Sequence, residues 1–275
     1  MALAAAWLAF GLSLTVERLL LVLLVPALIL GRARAFLRDF LPFAASIVLY
    51  AELRGLAHTL RPVPHYRPQL RLEELLFAGH LPSAVLQERL GRGGEHWYDA
   101  LLVSVTRIHS TVPVVLAFVL WMRRRALFYR FAASMLVLSY AAALVFLLFP
   151  AAPPWAAAEA RFLEGVSRIG TGLPSFSYLG QVSIYHFVDS NPYAAIPSLH
   201  GGYSFLVFLY VASVTRRSRW WWLPPAAAGL YALAQAFAAV YTGNHYVVDL
   251  LAGDALAAGS MLAVGALWRR RGFPE

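Results

Sequence analysis

The chain has 275 residues, of which 60% are hydrophobic and only 13% charged. Soluble domains sit nearer roughly 45–50% apolar and about 25% charged, so an ordinary cytosolic globule and a disordered chain are both excluded. Cysteine is absent, which removes disulfides, zinc–thiolate sites, iron–sulfur clusters and thiol nucleophiles, and the formal charge of +9 comes from 23 arginines, with no lysine, against 14 acids.

Apolar stretches run over 3–31, 36–54, 100–122, 127–149, 199–215, 221–241 and 246–268. Each is near the length of about 20 residues that crosses the hydrocarbon core as a helix. Glu17 and Arg18 interrupt the first stretch. It is one long tilted helix, or an interfacial piece followed by a short span, and it has neither the basic start nor the cleavage site of a signal peptide. Arginines then follow alternate spans: Arg32, Arg34 and Arg38; Arg123, Arg124 and Arg125; Arg216, Arg217 and Arg219; Arg269, Arg270 and Arg271. The positive-inside rule makes these loops and the C-terminus cytoplasmic, so 55–97, 150–198 and 241–245 face outward.

The fold expected is an all-α polytopic membrane helix bundle. It has six core transmembrane helices, an extra N-terminal one, and amphipathic helices at 55–97 on the outer face. The divisions are an N-terminal membrane segment at 1–35, a catalytic membrane domain at 36–268 and a cytoplasmic tail at 269–275. Trp220, Trp221 and Trp222 beside Arg219 read as an interfacial belt and not a base-stacking surface, so no nucleic-acid partner is expected. The glycines at 91–94 lack the strand and helix of a nucleotide loop.

Ionisable groups at the edges of apolar segments are costly and need a reason. Two clusters stand out: Asn191 to Gly202, containing Pro197-Ser198-Leu199-His200, and Tyr241 to Asp249, containing His245 and Asp249. The topology puts both on the outer side, so His200 and His245 can meet. His245 and Asp249, four apart, are neighbours on one helix face. A carboxylate beside an imidazole fixes its tautomer and leaves the other nitrogen free as a nucleophile. Ser198 reads as a helix cap, His200 in the first turn as a proton donor to a leaving oxygen, and Gly201 with Gly202 as room for a ligand beside the backbone. The plainer alternatives are an interfacial His with a helix-stabilising Asp, and a capped helix with close-packed glycines. A metal site is disfavoured because two His and one Asp lack a third strong ligand at short spacing. Asp254, farther into the last span, is expected to bond to a neighbouring helix, and His65, His80, His96 and His186 to be solvated.

Together, Pro-Ser-Leu-His and the later His-x-x-x-Asp resemble the type 2 phosphatidic acid phosphatase superfamily, over about 36–268. The resemblance implies that His245 attacks phosphorus, His200 is the general acid, Asp249 orients His245, and neither metal nor cofactor is needed. Two departures matter. The superfamily's phosphatases carry a Lys-x6-Arg-Pro motif where this chain has Phe149-Pro150-Ala151-Ala152-Pro153-Pro154-Trp155, and an Arg six residues before the nucleophile where this chain has Ala239. The Pro-rich segment is similar to the inositol phosphorylceramide synthase branch, as are Glu52-Leu53-Arg54-Gly55, Trp97-Tyr98-Asp99 and Arg107-Ile108-His109 with Pro113.

Arg54, Arg107 and His109 are therefore the candidates for the missing phosphate holders. The alternatives are that Arg54 snorkels and that Arg107 pairs with Asp99 or Glu52. Ser198, Pro153, Trp155, Asn244 and Tyr246 complete the candidate binding residues. The function expected is a lipid phosphotransferase acting through a phosphohistidine, with a lipid phosphate or phospholipid as donor and inositol, another polyol or a lipid alcohol as acceptor. The site would face outward across a bacterial plasma membrane. The rival readings are a lipid phosphate phosphatase, with water as acceptor, and more distantly a proton-coupled transporter.

Overall fold

The computed structural model describes residues 16–91, 96–170, 191–215 and 221–272. Eleven helices are found among them: α1 (Val16–Ile29), α2 (Ala33–Leu60), α3 (Arg67–Leu76), α4 (Pro82–Leu90), α5 (Trp97–Arg107), α6 (Thr111–Arg123), α7 (Arg125–Leu148), α8 (Pro154–Glu159), α9 (Leu199–Val214), α10 (Leu223–Tyr241) and α11 (Val247–Arg270). The protein is an all-helical bundle. Four helices, α2, α7, α10 and α11, are long and apolar enough to cross a membrane, and α5 with α6 makes a fifth if the pair is one span. Readings that concerned residues 1–15, 92–95, His186, 216–220 and 273–275 lie outside the described residues.

The core follows from helical spacing. Phe36, Phe40, Phe43, Ile47 and Tyr50 form one buried stripe on α2. Phe128 of α7 fills against it, stacked on Phe40 at 4.7 Å and edge-on to Phe43 at 6.2 Å. The other side of α7 meets α9, where Ser134 and Ser139 pair with the hydroxyls of Tyr210 and Tyr203 at 2.8 and 2.7 Å. Apolar surface gives little drive between helices in lipid, so such bonds and close backbone packing carry the contact.

Close packing is clearest between α9 and α11. A Cβ on Gly253 would stand 2.0 Å from the Ser198 carbonyl oxygen, and one on Gly202 would stand 3.0 Å from the Gly253 oxygen. Gly201 faces Leu250 and Asp254 in the same way. Gly201 and Gly202 thus admit a helix, not the ligand expected from the sequence. Asp254 also departs from expectation: its Oδ1 is buried with no hydrogen-bond partner among the described residues.

The span expected to run unbroken over 100–122 is two helices, bent by 49° at 108–110. Pro113 explains the break, since its ring clashes with the carbonyl four residues back, on His109. Gln235 of α10 then donates Nε2 to the Val105 carbonyl at 2.5 Å, satisfying a carbonyl at the broken end. α9, with 16 residues, is only about 24 Å long and is enclosed by its neighbours. α2 continues to Leu60, so Arg54 lies within the helix and not near its end.

Opposite ends of the bundle carry different chemistry. At one end Arg32 lies over the Trp121 ring at 4.4 Å, and Arg125 pairs with the buried Asp39. Asp39 also accepts from Trp121 Nε1 and the Tyr129 hydroxyl, both at 2.7 Å. Arg130 and Arg269 flank Gly265 of α11 nearby. At the other end α3 packs on α11 and α4 on α10. Three extended segments meet there through Ala151, whose N–H donates to the Tyr193 carbonyl at 2.8 Å, while Ala152 N–H donates to His65 O at 3.0 Å.

Candidate active site

α9 and α11 start at this second end, and their starts are tied together. Ser198 caps α9, accepting the Gly201 N–H at 3.4 Å, and its own N–H donates to the Asp249 carbonyl at 2.8 Å. The turn 242–246 between α10 and α11 needs Gly243, whose φ of +74° favours glycine and whose missing Cβ would lie 2.8 Å from Ser167 O. That turn brings His245 beside the first turn of α9.

His200 Nδ1 lies 2.9 Å from His245 Nε2. On the far side of the ring, His245 Nδ1 stands 3.6 Å from Asp249 Oδ2. This is an ion-pair distance, too long for a hydrogen bond. Asp249 is fully buried, and its Oδ2 accepts the Tyr246 N–H at 2.9 Å. His109, at the α5–α6 break, lies against His200 with ring centroids 4.1 Å apart, and its Nδ1 faces Thr106 O at 2.7 Å.

The two histidines open onto a cavity of about 530 Å³. Its wall includes Arg54, Arg107, Pro153, Trp155, Asn244 and Arg168, and among the described residues no carboxylate lines it. Arg54 donates to the Asn191 carbonyl at 3.3 Å and its own carbonyl accepts from Asn191 Nδ2 at 3.1 Å; it does not snorkel outward. The Asp99 carboxylate, the alternative partner of Arg107, takes the Tyr241 hydroxyl at 2.6 Å and the His96 N–H at 2.7 Å. Three candidate binding residues stay off the cavity wall. Ser198 and Tyr246 are fully buried at their helix starts, and His109 sits behind His200.

Ala239 explains one departure from the family pattern. It is fully buried, and its carbonyl takes the N–H of Asn244 and His245 at 3.0 and 3.2 Å. An arginine there would have no space.

Arg168, Gln87 and Glu73 gave no signal in the sequence, and Asn191, which opens the first polar cluster, gave none of its role as a brace. Arg168 lies over the Trp155 ring at 4.8 Å, bringing a third cation to the wall. Gln87 of α4 clamps its loop, with Nε2 to the carbonyls of Ser167 and Tyr241 at 2.9 and 2.8 Å and Oε1 to Ser167 N–H at 2.8 Å. Asn191 braces Arg54. Glu73 of α3 accepts the N–H groups of Val247 and Val248 at 2.9 and 3.1 Å. Burial pushes the Glu73 carboxyl up from its ordinary range; these two bonds oppose the shift and nearby Asp249 adds to it. Among the described residues, no group of three or more His, Asp or Glu side chains is close enough to hold a metal ion.

The family model described as PAP2 superfamily matches residues 92–263, which contain both histidines and Asp249. The chain belongs to the PAP2 superfamily. A phosphoinositol dihydroceramide synthase of Bacteroides thetaiotaomicron is 28% identical over 190 residues, covering 65% of this chain. The chain spans 60% of the length of that relative. No solved structure matches. Membership in the PAP2 superfamily and the apolar helices together make this an integral membrane protein.

Proposed function

We propose that this protein is a lipid phosphotransferase that moves a phospho-headgroup through a phosphohistidine at His245. The observation that carries the reading is the contact of His200 Nδ1 with His245 Nε2 on the wall of a cavity whose described lining holds three arginines and no acid. In the first half-reaction His245 Nε2 attacks phosphorus and the bond to the leaving lipid oxygen breaks. His200 gives that oxygen its proton. In the second, the acceptor hydroxyl returns a proton to His200 as its oxygen attacks phosphorus and the P–N bond breaks. Asp249 holds the Nδ1 proton and stabilises the charged ring. A phosphoryl group enters only after the two rings part, because 2.9 Å between their nitrogens leaves no room for phosphorus.

Arg54 and Arg107 are the cations that meet the charge developing on the phosphoryl oxygens, a task that positioned cations perform in phosphoryl transfer. The relative's name and the Pro-rich segment around Trp155 favour a phospholipid donor with a polyol-type headgroup and a lipid alcohol acceptor. The arginine-rich loops favour an outward-facing site and a cytoplasmic C-terminus in a bacterial plasma membrane.

The test is turnover by the purified protein with EDTA present, on polyprenyl phosphates, phosphatidic acid and phosphatidylinositol, with and without alcohol acceptors. Headgroup transfer that vanishes in His245→Ala is expected. Phosphate release without an acceptor would replace the transferase reading by a phosphatase. Absence of His245-dependent turnover on the whole panel would contradict both.

A further inference from the structure

The first turn of α11 needs acceptors for its leading amides, as every helix start does. The position before it is Tyr246, which has no short side-chain acceptor to offer. Asp249 reaches back to the Tyr246 N–H, but the next two amides are taken by a residue 174 and 175 positions away. Both oxygens of Glu73 are committed to Val247 and Val248, and Glu73 is only 1% exposed.

This is an expensive way to cap a helix. A carboxylate is buried, and Asp249 lies near enough to add like-charge repulsion. The positive end of the α11 dipole offsets part of that cost. Without Glu73 the amides of Val247 and Val248 lose their acceptors, and the same first turn carries the Asp249 carboxylate, whose Oδ2 already takes the Tyr246 N–H and whose Oδ1 is buried with no partner among the described residues. A carboxylate drawn further onto the helix start would turn away from His245. The groups that face His245 are Asp249 on α11 and His200 on α9, with His109 behind His200, and the cavity wall that His245 shares carries Arg54, Arg107 and Arg168.

We propose that Glu73 is a positioning residue for the transfer reaction: it caps α11 from α3, so that the Asp249 carboxylate stays turned toward His245. The inference rests on His245 being the nucleophile. It also makes the site depend on the seating of α3, a helix whose remaining surface divides into exposed Leu72, Leu75 and Leu76 and polar Arg67, Arg71 and Glu74. That division suits a helix lying at the lipid boundary.

The experiment compares Glu73→Ala, Glu73→Gln and His245→Ala in the full chain in lipid nanodiscs, with kcat, KM and amide exchange across 245–250. Glu73→Ala is expected to lower kcat roughly 10- to 100-fold, the scale of a small misplacement of reacting groups. KM stays within about 2-fold, and the amides of Val247 and Val248 exchange faster. Glu73→Gln, which keeps one acceptor oxygen, recovers much of the loss. A Glu73→Ala enzyme with wild-type kcat, beside a wild type that outpaces His245→Ala, would overturn this inference and leave the transfer reading standing. So would variants that lose activity only in step with their folded fraction. A wild type no faster than His245→Ala would overturn both.

Discussion

His245 presents Nε2 to the cavity because Asp249 stands on its Nδ1 side and His200 on the other. The four-residue spacing to Asp249 made that half of the arrangement legible in the sequence, and the alternation of arginine loops made the meeting with His200 legible. The cations were legible only in part. Arg54 and Arg107 stood out because charge inside apolar segments is costly. Arg168 did not, because an arginine in a long outer loop looks like any solvated one until it is seen over Trp155, beside the Ser167 that Gln87 clamps. Arg107→Ala is expected to abolish turnover while leaving the unfolding temperature near that of the wild type; near-normal turnover would remove Arg107 from the phosphate-holding set. Arg168→Ala is expected to raise KM more than it lowers kcat, since it is held over Trp155 at the cavity wall.

Among elements, the α9–α11 crossing decides whether the motifs meet at all. Gly253 lets the Ser198 backbone rest on α11, and a methyl there would meet backbone that cannot swing aside. Gly253→Ala is therefore expected to lower both the unfolding temperature and turnover, whereas Gly259→Ala, with open space around its Cβ position, is expected to change neither. Thermal unfolding followed by aggregation or dye binding checks the pair. The glycines of Gly201-Gly202 were visible in the sequence, but their purpose was not. A glycine that admits a ligand and one that admits a helix have the same local signature, and only the partner distinguishes them. The α5–α6 break was hidden for a similar reason: Pro113 was visible, but hydropathy runs on across it. Glu73 was obscured because its partners are backbone amides on a helix far along the chain.

The whole molecule places two polar centres about 22 Å apart along α2, the buried Asp39 at one end and the half-buried Arg54 toward the other. Asp39 gathers Trp121, Arg125 and Tyr129 at the end where the Arg32, Arg123–125 and Arg269 groups collect. Asp39→Ala leaves the Trp121 N–H buried without an acceptor, at a cost of about 2 kcal/mol. Unfolding measurements are expected to record that loss with KM for the lipid donor unchanged. The absence of cysteine allows a clean topology test. His80→Cys, near the active-site end, should react with an impermeant maleimide on intact cells. Arg271→Cys should react only after permeabilisation, and the reverse pattern would invert the orientation.

The central claim is that phosphorus passes through His245. Its most direct measurement is rapid acid-free quenching of the protein with a donor labelled in its phosphate, followed by mass mapping of the modified peptide. The account predicts an acid-labile, base-stable phospho-adduct on His245 that decays when acceptor is added and is absent from His245→Ala. Turnover with no label on His245, or label that persists in His245→Ala, would contradict it.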